Sequence, residues 1–190
     1  RLSSVIAQVL DPLVKRYPDS AAARVLLAQV LLKLGRTAEA RAQLREAVTL
    51  SDVPKHWLAL AAAADEEAAL QCFALRRYFA FTMPDQTREA WFRYLLLATE
   101  HGDQREAARL IRDWSSREDS SEECNRFLSE SVIYLASKNS DERLALRATA
   151  KLVHGKGALP DGWEDVFTRA GSPSTDLLAV EQAFSPSQVA

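Results

Sequence analysis

The chain has 190 residues, with 24 basic and 26 acidic side chains, 47% hydrophobic residues, seven prolines and six glycines. This length can bury a substantial core, and the balance of apolar to charged residues excludes disorder throughout. A formal net charge of −2 gives no broad attraction for phosphate backbones and argues against nucleic acid as a partner; the longest apolar run, Trp57 to Ala64, is too short for direct membrane insertion. Alanine fills 31 positions. It is the best helix former and lets helices approach closely, so an all-helical stack is expected. Cys72 and Cys124 are too few for a disulfide scaffold and read as small buried residues.

The first helix is expected over Leu2 to Tyr17, with Ile6, Leu10 and Leu13 inward and a kink at Pro12, which lacks a backbone donor. Next, Ala21 to Leu34 carries Leu27, Val30, Leu31 and Leu34 at helical spacing. Gly35 supplies a left-handed stop. Thr37 is expected to cap the following helix, where Ala40, Leu44, Ala47 and Leu50 form one face before the Asp52-Val53-Pro54 corner. Two tryptophans 34 residues apart, Trp57 and Trp91, open similar segments, and Arg24 opens a third 33 residues before Trp57. Gly35 and Gly102, each followed by Glu-Ala at the same offset, lie 67 residues apart, close to two such periods. A period of this length signals stacked helix pairs.

Further along, Asp103 with Glu106, and Ser120 with Glu123, have the spacing of a capping box. Val132, Ile133 and Ala136 mark one helix, and Leu144, Ala145, Ala148 and Leu152 mark another. Gly155-Lys156-Gly157 breaks the pattern. A short helix is expected from Trp163 to Ala170, then a break at Gly171-Ser172-Pro173. Ser174 is expected to cap a last helix through Phe184, with Leu177, Val180, Glu181 and Phe184 on one face. That helix reads as a cover for the last repeat, or alternatively as a mobile ligand for a groove.

Ala21 to Pro54 resembles a tetratricopeptide repeat through Leu27-Ala28, Gly35, Ala40, Leu44 and Ala47. Glu89 to Ser121 resembles it through Trp91, Tyr94-Leu95, Ala98, Gly102, Ala107 and Ile111. Pro54 to Pro84 keeps Trp57, Leu60-Ala61 and Ala64 but replaces the glycine turn with Asp65-Glu66-Glu67 and is about four residues short by the family's usual spacing. Leu2 to Pro18 looks like the second helix of an earlier repeat, and Ser121 to His154 like a degenerate fourth. The resemblance implies a right-handed all-α solenoid over residues 1–154, with repeats at 18–54, 54–84, 85–121 and 121–154 preceded by a half repeat at 2–17. Residues 155–190 would form a C-terminal extension with one or two capping helices. Because the pattern opens on a second helix, the chain is expected to be a piece of a longer repeat protein.

Sites for chemistry are scarce. His56, His101 and His154 are far apart in sequence, with no second ligand at metal spacing, and no glycine-rich loop is present to cradle a phosphate. Neither metal nor cofactor is expected, and no catalytic residue is assigned. Serines at Ser115-Ser116 and Ser120-Ser121, and acids at Asp65-Glu66-Glu67 and Glu122-Glu123, are accounted for by turns and helix starts.

In the tetratricopeptide family the first helix of each repeat lines the concave face. The resemblance therefore implies partner-binding positions at Ala22, Val25, Gln29, Leu32 and Lys33, at Lys55, Leu58, Ala62 and Glu66, and at Glu89, Phe92, Leu96 and Glu100. Members that clamp a terminal carboxylate use Lys, Asn and Arg at such places. Here Val25, Leu58, Ala62, Phe92 and Leu96 stand instead, so an apolar helix or extended segment is the expected ligand, with Phe92 as anchor. Phe73, Tyr78, Phe79, Phe81, Trp91 and Tyr94 crowd the middle of the chain, too many for one buried face. Arg76 and Arg77 beside them read as solvated.

These positions imply a non-catalytic scaffold for a protein or peptide partner. Alternatives are the regulatory or substrate-binding arm of a larger enzyme and a self-assembly module, with homo-oligomers through apolar end helices. Six lysines against 18 arginines suggest a GC-rich bacterial source. Similar arrays occur in envelope, secretion and polysaccharide-export proteins, and the sequence leaves periplasm and cytoplasm open.

Overall fold

The computed structural model describes residues 2–83, 87–117, 122–153, 159–164, 167 and 171–185. Among them there is no strand, and ten α-helices account for most of the chain. The chain forms two compact units, Arg1–Phe81 with Ala179–Ala190, and Thr82–Leu178.

The first unit opens with α1 (Leu2–Arg16), which runs through Pro12 as one continuous helix. Its buried side chains are Ala7 and Val14, whereas Ile6 and Leu13 are exposed. The expected inward face is therefore rotated. Helix α1 packs on α2 (Ala21–Lys33) through the small stripe at Ala7 and Val14, which admits a close approach, and leaves Leu2, Val5, Ile6, Val9 and Leu13 turned away from it. Ser20 caps α2 by accepting from the Ala23 amide at 3.3 Å, a role the sequence pattern did not single out.

Gly35 follows with φ of 72°, the left-handed turn expected there. Helix α3 (Thr37–Leu50) begins on Thr37 itself. Its cap position is Arg36, without a side-chain cap bond, so Thr37 is the first helical residue rather than the cap. Instead, the Arg36 guanidinium donates to both Glu39 oxygens, at 2.6 and 2.5 Å, and holds that carboxyl below its ordinary pKa. Leu27, Ala28 and Leu31 of α2 and Ala40, Leu44 and Ala47 of α3 meet in the core. Burying a side chain the size of Leu44 stabilises by roughly 1.5–3 kcal/mol.

The shortened repeat is accommodated by a helix of only ten residues, α4 (Pro54–Ala63), with proline in its first turn. A turn over residues 64–66 leads into α5 (Ala68–Phe79). No left-handed residue is used there. Gln71 of α5 donates to the Ala61 carbonyl at 3.1 Å, a second bond to an acceptor that also takes the Ala64 amide at the end of α4. Glu67 is held from α3 by Arg41 at 2.8 Å and Arg45 at 2.6 Å. Contacts of α2 with α4, as well as of α3 with α4, build the stack of helix pairs.

The second unit holds α6 (Arg88–His101), α7 (Gln104–Ser115), α8 (Glu122–Lys138) and α9 (Glu142–Val153). Trp91, Tyr94, Leu95 and Ala98 of α6 are buried with Ala107, Leu110 and Ile111 of α7. Trp91 Nε1 donates to Ser131 Oγ on α8 at 2.8 Å, so the indole brings its polar edge into the core with a partner. Gly102 ends α6 at φ of 74°. The expected capping box at Asp103 does not form: the Asp103 carboxylate accepts from the Tyr94 hydroxyl at 3.1 Å, and no side-chain cap bond is made. Buried Tyr94 needs an acceptor, and that demand outweighs the cap. The matching pair at Ser120 lies outside the described residues.

Past α9, the glycines at 155 and 157 and most of the expected helix 163–170 also lie outside the described residues. Trp163 and Phe167 are buried, with ring centroids 5.7 Å apart. Helix α10 (Thr175–Ala183) follows; its residues up to Leu178 count with the second unit and the rest with the first. Ser174 caps it as expected, accepting from the Leu177 amide at 3.3 Å.

Candidate functional site

Nine of the expected partner-binding residues lie in the first unit, among them Ala22 on α2 and Glu66 just past α4, both exposed. On α2, Val25 and Leu32 are half-buried while Gln29 and Lys33 are exposed. On α4, Leu58 is half-buried, with Lys55 and Ala62 exposed. None belongs to the core, because the buried faces of the same helices are spoken for by Leu27, Ala28 and Leu31, and by Trp57, Leu60 and Ala61. The touching helices α2 and α4 thus carry an apolar set edged by two lysines.

In the second unit α6 carries the other four: Phe92 and Leu96 are half-buried, and Glu89 and Glu100 are exposed. Phe92 is engaged within the chain. Its ring meets Phe127 and Tyr134 of α8 edge-on, at centroid distances of 5.5 and 5.6 Å. Arg88, one helical turn before it, lies over both Phe92 and Phe127 and pairs with Glu130. Lys138 sits 5.6 Å from the Tyr134 ring. Burial, and then the nearby Glu100 carboxylate, raise the Tyr134 hydroxyl above its ordinary pKa. Phe92 therefore fastens α6 to α8. Arg88 and Tyr134 were missed from sequence, though the Arg-to-Phe spacing of four residues marks one helix face.

The crowded aromatics resolve clearly. Phe73, Tyr78, Phe79, Trp91 and Tyr94 are buried, and Phe81 is exposed. Arg76 and Arg77 are not simply solvated. Arg76 pairs with Glu181 at 2.5 Å over the Phe73 ring, and Arg77 pairs with Asp52 while lying 5.5 Å from Trp57. Aromatic faces attract guanidinium groups, which is a physical reason these two lie against rings, Arg76 largely buried and Arg77 partly exposed.

His56 lies 3.4 Å from the Ser51 carbonyl and His101 lies 3.1 Å from Ser174 Oγ, while His154 is outside the described residues. Among the described residues no group of three or more His, Cys, Asp or Glu could hold a metal ion, and no helix is long and apolar enough to cross a membrane.

Comparison with known proteins bears on the same architecture. The tetratricopeptide repeat family matches residues 7–64. No curated protein matches the sequence. Among solved structures, a crystal structure of MamA protein superposes with a TM-score of 0.50 at 14% identity, covering 79% of this chain and 80% of that one. A second crystal structure of MamA gives 0.48 at 15% identity, covering 79% and 86%. Identities this low speak to the fold alone. The stacked helix pairs of the first unit and the family match agree: residues 7–64 match the tetratricopeptide repeat family, within a chain whose described residues form helices and no strand.

Proposed function

We propose that this chain is a non-catalytic scaffold that holds an apolar segment of a partner protein on the exposed faces of the first helices of its repeats. The observation that carries the reading is the exposure pattern on α2 and α4: Val25, Leu32 and Leu58 remain half-buried beside exposed Lys33 and Lys55, on helices whose opposite faces are in the core. A half-buried aliphatic group loses little order on binding and gains by losing the rest of its water. Lysines at the edge provide a polar rim. Leu96 and Glu100 on α6 extend the same character in the second unit. Phe92 contributes mainly by holding α6 against α8, so it positions Leu96 rather than serving as the main anchor.

A bacterial envelope, secretion or polysaccharide-export assembly is the setting this reading favours, on the arginine-rich composition and the kind of repeat array. The test is capture from native lysate by the immobilised chain, compared with Val25→Glu/Leu58→Glu. The substitutions sit at partly exposed positions, so circular dichroism should show unchanged helix content while capture of specific partners falls at least tenfold. Equal capture by both proteins would remove the partner from these helices.

A further inference from the structure

The last turn of α10 and the residue that follows it occupy a face of α4 and α5 in the first unit. Phe184 stacks on Phe73, with centroids 5.4 Å apart and planes at 21°, and meets Trp57 edge-on at 5.6 Å. Three residues earlier, Glu181 pairs with Arg76 at 2.5 Å, and the Arg76 guanidinium also covers the Phe73 ring at 5.1 Å. Carboxylate and aromatic fall on one side of a helix end because they are three residues apart. The segment closes on itself there: the Phe184 amide donates to the Val180 and Glu181 carbonyls, both at 3.3 Å.

Little else from this segment reinforces the contact. From Ala179 to Ser185, only Val180, Glu181 and Phe184 are even half-buried, and the remaining side chains are exposed. An attachment carried by two side chains, far in sequence from the groups they meet, is of the kind that opens locally without unfolding its neighbours. The receiving face is built to last. Trp57 and Phe73 meet at 5.7 Å in an edge-on pair, the Trp57 indole donates to Asp52 at 2.6 Å, and Arg77 pairs with that same Asp52.

We propose that Trp57, Phe73 and Arg76 form a peptide-recognition site, distinct from the exposed apolar positions on α2 and α4, which the chain's own Glu181 and Phe184 occupy. Its ligand in trans is a partner helix end with a carboxylate three residues ahead of an aromatic ring. Charge complementarity at Arg76 sets the acidic requirement, and the slot against Phe73 and Trp57 sets the aromatic one. Tethering places the internal segment at an effective concentration on the order of mM, so a partner segment binds well only when the internal one is released.

The test uses the full chain and a fluorescent peptide of residues 174–185. E181A/F184A empties the site without touching the receiving side chains, and the peptide should bind it at least tenfold more tightly than it binds the wild type. Adding R76E should abolish that binding, and a peptide with Arg in place of Glu181 should restore it. Restoration separates a lost contact from a lost fold. Should E181A/F184A lose helix content, F184L alone serves the same comparison. No binding to the emptied chain, or binding indifferent to R76E, overturns the proposal. A wild-type dimer by light scattering that disappears in F184A would assign the site to a second copy and overturn the partner reading. Val25→Glu/Leu58→Glu should leave peptide binding unchanged, so this proposal and the groove fail independently.

Discussion

Gly35 and Gly102 occupy equivalent turns, yet their surroundings differ in a way that sequence alone does not disclose. Both have φ near +70°, where any other L-residue is strained. A Cβ added at Gly35 meets nothing within 4 Å, whereas one at Gly102 lies 2.4 Å from the Ser172 carbonyl oxygen. Ser174 closes that approach, donating its amide to the His101 carbonyl at 2.8 Å. We predict that Gly35→Ala costs about 1–2 kcal/mol from backbone strain alone. Gly102→Ala adds an overpacking cost of about 1–3 kcal/mol to the same strain. Urea titration followed by far-ultraviolet circular dichroism should order the midpoints as wild type, then G35A, then G102A. Equal midpoints for the two variants would mean that the 171–174 segment does not lie against α6.

A second residue-scale prediction concerns ionisation. The Tyr134 hydroxyl is raised by burial first and by Glu100 second. A raised folded-state value means that its neutral form is favoured in the native state. Stability from this group is therefore complete below the unfolded tyrosine value and falls as pH rises through the folded one. Glu100→Gln removes only the second cause and should lower the tyrosine transition assigned by difference from Y134F in an ultraviolet titration. No movement would place Glu100 away from Tyr134.

At the scale of elements, the helix pattern of the repeats was legible because alanine, leucine and glycine recur at fixed offsets. Orientation was harder. In α1 the largest apolar residues suggested the inward face, but the helix buries Ala7 and Val14 instead. Size misleads where a neighbouring helix approaches closely, since the contact then selects small side chains. Val14→Ala should cost about 1–3 kcal/mol as a core truncation. Ile6→Ala should stay within about 0.5 kcal/mol, as an exposed substitution does. The opposite ranking in thermal unfolding would restore the face expected from sequence. Caps were misjudged for a related reason. Spacing alone nominated Thr37 and Asp103, but the helix starts on Thr37 with Arg36 at the cap position, and capping spacing cannot register that buried Tyr94 needs the Asp103 oxygen. Ser20 and Ser174 do cap, Ser174 while its hydroxyl also lies 3.1 Å from His101.

Across the whole chain, the all-helical repeat architecture could be read from periodicity, because each repeat makes the same packing demands on the same positions. The proposed partner-binding residues were legible only as positions. These positions are exposed or half-buried, but sequence could not foresee that Phe92 is held by Phe127, Tyr134 and Arg88. Nor could it foresee the pairing of Arg76 with Glu181, 105 residues away. Such contacts depend on which helices meet, and no local pattern encodes that.

The central claim is that a partner lies against the first helices of the repeats. Its most direct measurement is site-specific photo-crosslinking in native lysate, with a benzophenone side chain placed in the full chain at Leu58 on α4, or at exposed Glu46 on α3 as reference. The account predicts a discrete protein adduct from position 58, reduced by Val25→Glu, and none of that species from position 46. The same adduct from position 46, with none from position 58, would contradict it.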